Sequence, residues 1–491
     1  MNIFEYLIEK KIIYLILGFI FSITSIGRFN IALSIFIWPY CFLAYLHQNN
    51  KKLIPLIIVS LCLIVSNMIR WLGYNKFSIL AGFPFSIYLS IINIIPYIID
   101  NIIYNKIAKW ASVFVFPLLV AFTEYAFEFS RISNNNVYAY ALRNDLHMIQ
   151  ICSLFGCFFL SYIIALFASI TDYSYNVYKK ERKISKFVYY YAIIILLITS
   201  FGSIRLLIPE KEGRYNIAGV SGLSTCLYDE GKESMLPINV YMDYIEKTII
   251  KANKSEAKLI IYSEHAFDIY GSDRKEIISK TAKLAEKYNI FVVLTLDIEY
   301  DINYNKNEAI LISDKGKVLY NYEKKNLIPT IETDYYTNLT EFKTFDTELG
   351  FLGLVICYDI NYPDYLNQLS RLGLDTLLVP SWDWNTVTEF HSTELRCRAI
   401  ENGFYTLKST ANWISLSNDY KGPFLSFLKG DKCEEFFVLS SIYKKGTKTL
   451  YSQIGGFFNY IYLVSLSIFV IIGRYQIDKE KIKDTKKIKV K

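Results

Sequence analysis

The sequence predicts a multi-pass α-helical membrane domain joined to an α/β layered domain that lies outside the cytoplasm. Three observations predict it. Long uncharged apolar runs fill the first part of the 491-residue chain, and charges concentrate after Glu210 and at the extreme C-terminus. Between those regions, short apolar runs of strand length alternate with amphipathic stretches of helix length. The composition, 53% apolar and 20% charged with mean hydropathy +0.24, lies above that of an ordinary soluble protein. The net charge of +7 sits beside apolar spans, so it points to topology and anionic lipid headgroups and not to nucleic acid. Four histidines and the absence of a Cys-x-x-Cys pair argue against a zinc site. No cofactor is expected.

Runs long enough to cross a bilayer lie at about residues 12–27, 30–46, 53–69, 78–99, 110–128, 150–171 and 187–208, with an eighth at about 453–473. The first is read as a span and not as a removable signal, because further spans follow at once without a small-residue cleavage site. The 78–99 run contains prolines, which leaves open whether it is one helix or is broken at them. Lys10-Lys11, Lys51-Lys52, Lys106, Lys109 and the Lys179–Lys183 cluster fall on one side, as do the lysines that follow Arg474. The opposite loops carry only scattered charges such as Arg28, Arg70, Lys76, Arg131 and Arg143. The positive-inside rule therefore places both termini in the cytoplasm. The expected organisation is a membrane domain over 1–208, an external domain over 209–452, a last span over 453–473 and a solvated basic tail over 474–491. Glu124 interrupts an apolar run; it reads equally as a functional intramembrane carboxylate or as one near the interface.

After Ile208-Pro209 the period of the hydrophobic pattern changes. Tyr215–Ser221 reads as a strand, Pro237–Ala252 as an amphipathic helix and Lys258–Tyr262 as a buried strand. Asp273–Tyr288 is a helix, Ile290–Leu296 a strand, and Glu308–Ser313 with Gly316–Tyr322 a hairpin around Asp314-Lys315-Gly316. The apolar run Gly350–Ile356 leads into Cys357. A helix over Pro363–Leu372, a strand over Thr376–Pro380, a helix over Glu389–Asn402 and a strand over Phe404–Lys408 complete the pattern. Alternating strands and helices place chemically useful side chains at strand C-terminal ends.

Three such positions stand out. Glu264 follows one strand, Lys324 follows another, and Cys357 ends a third. A thiol becomes a nucleophile when a nearby base takes its proton, and a carboxylate can do so. A lysine ammonium stabilises the oxyanion of a tetrahedral intermediate. Singly, each has an ordinary reading: a packing cysteine, a surface carboxylate, a solvated lysine. Together they supply acyl transfer through a thioester. His265 and His391 offer a secondary Cys-His reading. Cys41, Cys62, Cys152 and Cys157 lie in apolar runs as packing residues, whereas Cys226, Cys397 and Cys433 are open to disulfide pairing in an oxidising exterior. Trp382, Trp384 and Trp413 read either as core aromatics or as a face at headgroup level.

With these residues in view, the chain resembles the nitrilase, or carbon–nitrogen hydrolase, superfamily, whose triad runs Glu, Lys, Cys. With spans on both sides it is similar to the apolipoprotein N-acyltransferase branch. Tyr262-Ser263-Glu264-His265-Ala266 resembles the block holding that family's base. Lys324 through Glu332 resembles its lysine block, with Glu332 on the supporting glutamate. Ile356-Cys357-Tyr358-Asp359 resembles the nucleophile block, and Arg398-Ala399-Ile400-Glu401-Asn402-Gly403 the helix that follows. Gln150 through Ser161 resembles a span of the same family. The departures are Tyr262-Ser263 for Trp-Pro, Thr330-Ile331 for Phe-Gly, Asp359 for glutamate, and Ser381-Trp382-Asp383-Trp384-Asn385 for an Asn-Asp-x-Trp-Phe block. The segment from Glu332 to Cys357 is also shorter.

The resemblance implies an α-β-β-α sandwich, a bacterial cell-membrane location and no metal. It further implies Glu264, Lys324 and Cys357 as catalytic residues, supported by Glu332, Tyr358, Asp359, Arg398 and Glu401. A phospholipid would donate the acyl chain and the α-amine of a lipid-modified lipoprotein cysteine would accept it. A membrane-tethered amidase with the same triad, and a non-enzymatic membrane binding or transport protein, are the alternatives.

Overall fold

The computed structural model describes residues 11–49, 53–72, 79–128, 130, 132, 136–210, 213–229, 231–232, 234–301, 304–329, 331–337, 341–384, 387–430 and 437–489. They form two compact units, Met1–Arg205 with Ile454–Lys491, and Leu206–Gln453.

The first unit is helical. Among its described residues six helices are long and apolar enough to cross a membrane; they include Leu53–Arg70, Phe83–Ile103, Lys109–Glu128, Cys157–Glu181 and Lys186–Leu207. The two leading runs form shorter helices, Ile12–Ile23 and Ser34–His47. Gly27, at φ +80°, opens a 3-10 turn between them and ends the pattern early. Pro84 and Pro96 do not break their run, which is one helix over Ile79–Ile103. The 150–171 run divides instead at Gly156, whose φ of +82° stops Cys152–Phe155 before the helix Cys157–Glu181 begins. The basic tail, expected to be solvated coil, continues the last helix, Leu450–Lys489. Its sequence after Gly473 holds no further glycine or proline and is rich in strong helix formers. Glu124 is buried and accepts a hydrogen bond of 2.8 Å from the backbone N–H of Tyr138. That bond gives the carboxylate a structural task, anchoring the turn Tyr138–Leu142.

In the second unit the elements run β1 (Arg214–Val220), α1 (Leu223–Asp229), α2 (Ile238–Lys254), β2 (Ala257–Tyr262), β3 (Phe267–Tyr270), α3 (Arg274–Tyr288), β4 (Phe291–Asp301), β5 (Tyr304–Ile312) and β6 (Val318–Glu323). They continue as β7 (Phe345–Thr347), β8 (Gly350–Leu354), α4 (Pro363–Arg371), β9 (Thr376–Ser381), α5 (Thr388–Asn402), β10 (Tyr405–Thr410), β11 (Trp413–Asn418), β12 (Phe424–Gly430) and β13 (Phe437–Tyr443). One sheet has the order β13-β1-β2-β4-β5-β6 with β3 beside β4, and the other β12-β11-β10-β9-β8-β7. The central pairs β1–β2, β2–β4, β8–β9 and β9–β10 are parallel.

Burial explains the layers. Tyr241, Ile245 and Ile249 of α2 and Ile277 of α3 pack on the outer side chains Ala218, Ile260 and Val292 of the first sheet. The alternate residues Ile217, Leu259, Ile261 and Val293 face Leu352, Leu354, Leu378 and Leu407 of the second. Leu366 and Leu369 of α4 and Leu395 of α5 cover Leu377 and Val379 on its far side. Both faces of each central strand are buried, which is why these strands read as continuous apolar runs. Each fully buried Leu or Ile contributes roughly 1.5–3 kcal/mol. The result is a helix–sheet–sheet–helix sandwich, a nitrilase-like α/β arrangement.

Candidate active site

The strand β8 ends at Leu354, and Cys357 opens a 3-10 turn, Cys357–Asn361. Cys357 has φ +44°, a left-handed conformation costly for a residue with a Cβ. Asp359 holds that turn. One carboxylate oxygen accepts from Ile356 N at 3.1 Å and from the Tyr322 hydroxyl at 2.8 Å; the other accepts from the backbone N and side-chain Nδ2 of Asn326, both at 2.8 Å. The residue that departs from the expected glutamate therefore clamps the nucleophile turn to the segment that carries Lys324.

The three strand-end residues converge. Lys324 Nζ donates to Glu264 Oε1 and to Glu332 Oε1, each at 2.7 Å. Glu264 also accepts from Asn307 Nδ2 at 2.8 Å and, through Oε2, from the backbone N–H of Trp382 at 2.9 Å. The Cys357 thiol lies beside the Glu264–Lys324 pair, near enough for both to act on its ionisation. Glu332 is fixed by Ile328 N at 2.6 Å. All four side chains are buried.

The electrostatics divide the protons. Burial works to raise the Glu264 carboxyl, but Lys324 and His265 hold it below the usual carboxylate range. Burial opposes charge on Lys324, and the carboxylates of Glu264 and Glu332 overcome it, so the ammonium is held well above its ordinary value. Burial and the Glu264 charge push the Cys357 thiol well up, against Lys324. The resting site thus holds a thiol beside an ionised carboxylate, and the thiolate forms only as Glu264 takes the proton.

The other expected residues lie around this centre. Tyr358 is half-buried, its ring edge-on to Tyr362 at 5.7 Å. Arg398 and Glu401 pair with each other at 2.6 Å inside α5. They sit behind the nucleophile turn, where Asn361 Nδ2 donates to Glu394 at 2.8 Å and Arg398 reaches the same carboxylate at 3.5 Å. Of the two histidines, His391 pairs through Nδ1 with Asp383 at 2.9 Å. A ring nitrogen of His391, an oxygen of Asp383 and the Cys357 sulfur lie within 4.8 Å of one another. Lys408 in turn pairs with Asp383. Trp382 packs edge-on against Tyr228 and beside His265. Of the cysteines weighed for pairing, Cys226 lies in α1, Cys397 is buried in α5, and Cys433 falls outside the described residues, as do Thr330 and Asn385.

Sequence reasoning missed Asn307, Tyr322 and the Trp382 amide. Asn307 carried no usable signal: it sits one residue before the stretch read as a strand, where the buried part of β5 begins. The Trp382 amide carried none, because a backbone donor has no side-chain signature.

Residues 238–428 match the family described as carbon-nitrogen hydrolase, and this part of the chain is a carbon–nitrogen hydrolase domain. The chain is 24% identical over 163 residues to a hydrolase in the agr operon of Staphylococcus aureus, covering 32% of this chain and 62% of that protein. It is 30% identical over 154 residues to a deaminated glutathione amidase of Dictyostelium discoideum, covering 28% of this chain and 52% of that one. The chain thus spans between about half and two thirds of the length of these relatives. Among solved structures, an amidase from Nesterenkonia sp. is similar at 18% identity and a TM-score of 0.41, covering 50% of this chain and 95% of that one.

Proposed function

We propose that the chain is a membrane-tethered acyltransferase, with Cys357 carrying the acyl group from a phospholipid to the α-amine of a lipid-modified N-terminal cysteine on a lipoprotein. The observation that carries this reading is the joining, in one chain, of the buried Glu264–Lys324–Cys357 cluster and helices long and apolar enough to cross a membrane. A catalyst whose donor and acceptor are both embedded in a bilayer gains from being held at its surface.

Glu264 takes the Cys357 proton as Sγ attacks the donor ester carbonyl. Lys324 Nζ and the backbone N–H of Tyr358 stabilise the oxyanion. Collapse breaks the ester C–O bond; Glu264 returns the proton to the leaving lysophospholipid oxygen and leaves a thioester. The incoming amine attacks that thioester, loses its proton to Glu264, and the sulfur leaves to be reprotonated. Glu332 and Asp359 hold Lys324 and the Cys357 turn, and Arg398 and Glu401 back that turn. The domain works outside the cytoplasm, with both termini inside, a placement supported by the distribution of Lys and Arg along the chain.

A second reading, amide hydrolysis with water as acceptor, is favoured by the amidase names of the relatives. Incubation with acyl-labelled phospholipid and a diacylated lipopeptide separates the two. Label appearing in amide linkage on the peptide supports transfer. Release of label only as free fatty acid, or cleavage of an amide without transfer, supports hydrolysis.

A further inference from the structure

His265, the residue after the base, is not used by this chemistry, yet it is buried with φ +51° and bonded at both ring nitrogens. Nδ1 meets Asp297 Oδ2 at 2.9 Å, and the Tyr335 hydroxyl donates to the same oxygen at 2.8 Å. Nε2 lies 2.9 Å from Asn307 Nδ2, the amide nitrogen that also donates to Glu264 Oε1 at 2.8 Å. An amide NH2 has two protons, so it serves both partners only while Nε2 is an acceptor. That requires a neutral imidazole with its proton on Nδ1, facing Asp297. Asn307 Oδ1 is buried without a partner. If His265 takes a second proton, Nε2 becomes a donor. Keeping the amide as it stands sets N–H against N–H, whereas turning it sets Oδ1 against the Glu264 carboxylate. Asn307 cannot satisfy a charged His265 and an ionised Glu264 together.

We infer that His265 is a positioning residue which, through the Asn307 amide, couples its own protonation to the readiness of Glu264 as base, so that the neutral ring gives the competent site. The charged and titratable groups facing the ring are Glu264 in its own turn, Asp268 on β3, Asp297 on β4, and Glu332 with Tyr335 on the segment after Lys324. Burial disfavours the imidazolium and Asp297 overrides it, pushing His265 up to about 9. Asp268, raised to about 7 by burial and by Asp297, adds to the negative field. The transition between the two forms therefore falls on the alkaline side of neutrality, and removing the Asp297 charge moves it down.

The inference rests on Glu264 deprotonating Cys357, and not on the identity of donor or acceptor. The test is the rate of Cys357 alkylation by iodoacetamide across pH 5–10 in the full-length protein, compared with His265→Gln and Asp297→Asn. Expected is a several-fold rise in the wild type through a His265-dependent inflection, absent in His265→Gln and displaced to lower pH in Asp297→Asn. A His265→Gln profile that keeps the wild-type inflection overturns the inference, as does an unmoved inflection in Asp297→Asn if His265→Gln fails to fold. Failure of acyl transfer with this pattern intact would instead overturn the proposed function.

Discussion

Lys324 is the residue on which the site's charge balance turns. It is the cation between two buried carboxylates, and its removal leaves Glu264 and Glu332 facing each other without compensation. Lys324→Met is expected to slow thioester formation by at least about a hundredfold, the scale of losing one oxyanion donor. It should also shift the acid limb of the rate profile upward, since Lys324 is the main influence holding Glu264 down. A single-turnover pH series checks both effects. The stabilities of the two ionised neighbours run in opposite directions. Glu264 is depressed in the fold, so its contribution is present above its ordinary 4.5 and lost as pH falls through the folded value. His265 is raised, so the pairing with Asp297 contributes fully below 6.5 and fades as pH rises through about 9. Thermal melts of Asp297→Asn should therefore lose the wild-type decline in Tm between those two values. At this scale the sequence was informative wherever a charged or nucleophilic side chain followed an apolar run. It was silent on Asn307, because bonding between strands far apart in the chain decides what a strand asparagine faces.

The elements that position the site tolerate little change. Asp359 satisfies donors from β6, from the segment after it and from the Cys357 turn. Asp359→Ala leaves those buried donors unpaired, a cost of about 2–4 kcal/mol, and lets the Cys357 turn drift from Lys324. The expected outcome is a lower Tm together with a larger loss in kcat than in KM. Gly403 ends α5 at φ +78°, where a Cβ would lie 1.9 Å from the Thr447 carbonyl oxygen. Gly403→Ala should destabilise the domain by roughly 2 kcal/mol or more, read as a fall in the unfolding midpoint. The strands found from sequence, β1, β2, β4, β8, β9 and β10, are buried on both faces and announce themselves as apolar runs. The expected hairpin also formed, as β5 and β6. The strands that were missed are short, as β3 and β7, or lie at or next to a sheet edge, where Ser415 and Ser417 in β11 or Ser440 and Ser441 in β13 dilute the pattern. Their place is fixed by pairing with distant partners, such as β13 with β1.

At the scale of the whole molecule, apolar length found the helices but misjudged their ends. Glycines at φ +80° and +82° divide the first pair of runs and the 150–171 run, whereas two prolines pass within one continuous helix. Charge along the chain predicts that a reporter active only outside the cytoplasm is silent when fused after Lys491 and active when inserted near residue 230. The reverse pattern would invert the proposed topology. The most direct measurement is intact-protein and peptide mass spectrometry after incubation with a phospholipid of defined acyl chains. The acyltransferase reading predicts a mass gain of one acyl group on Cys357, absent in Cys357→Ala and discharged when a diacylated lipopeptide is added. An unmodified Cys357 in protein that still transfers label, or an adduct that the lipopeptide does not discharge, would contradict it.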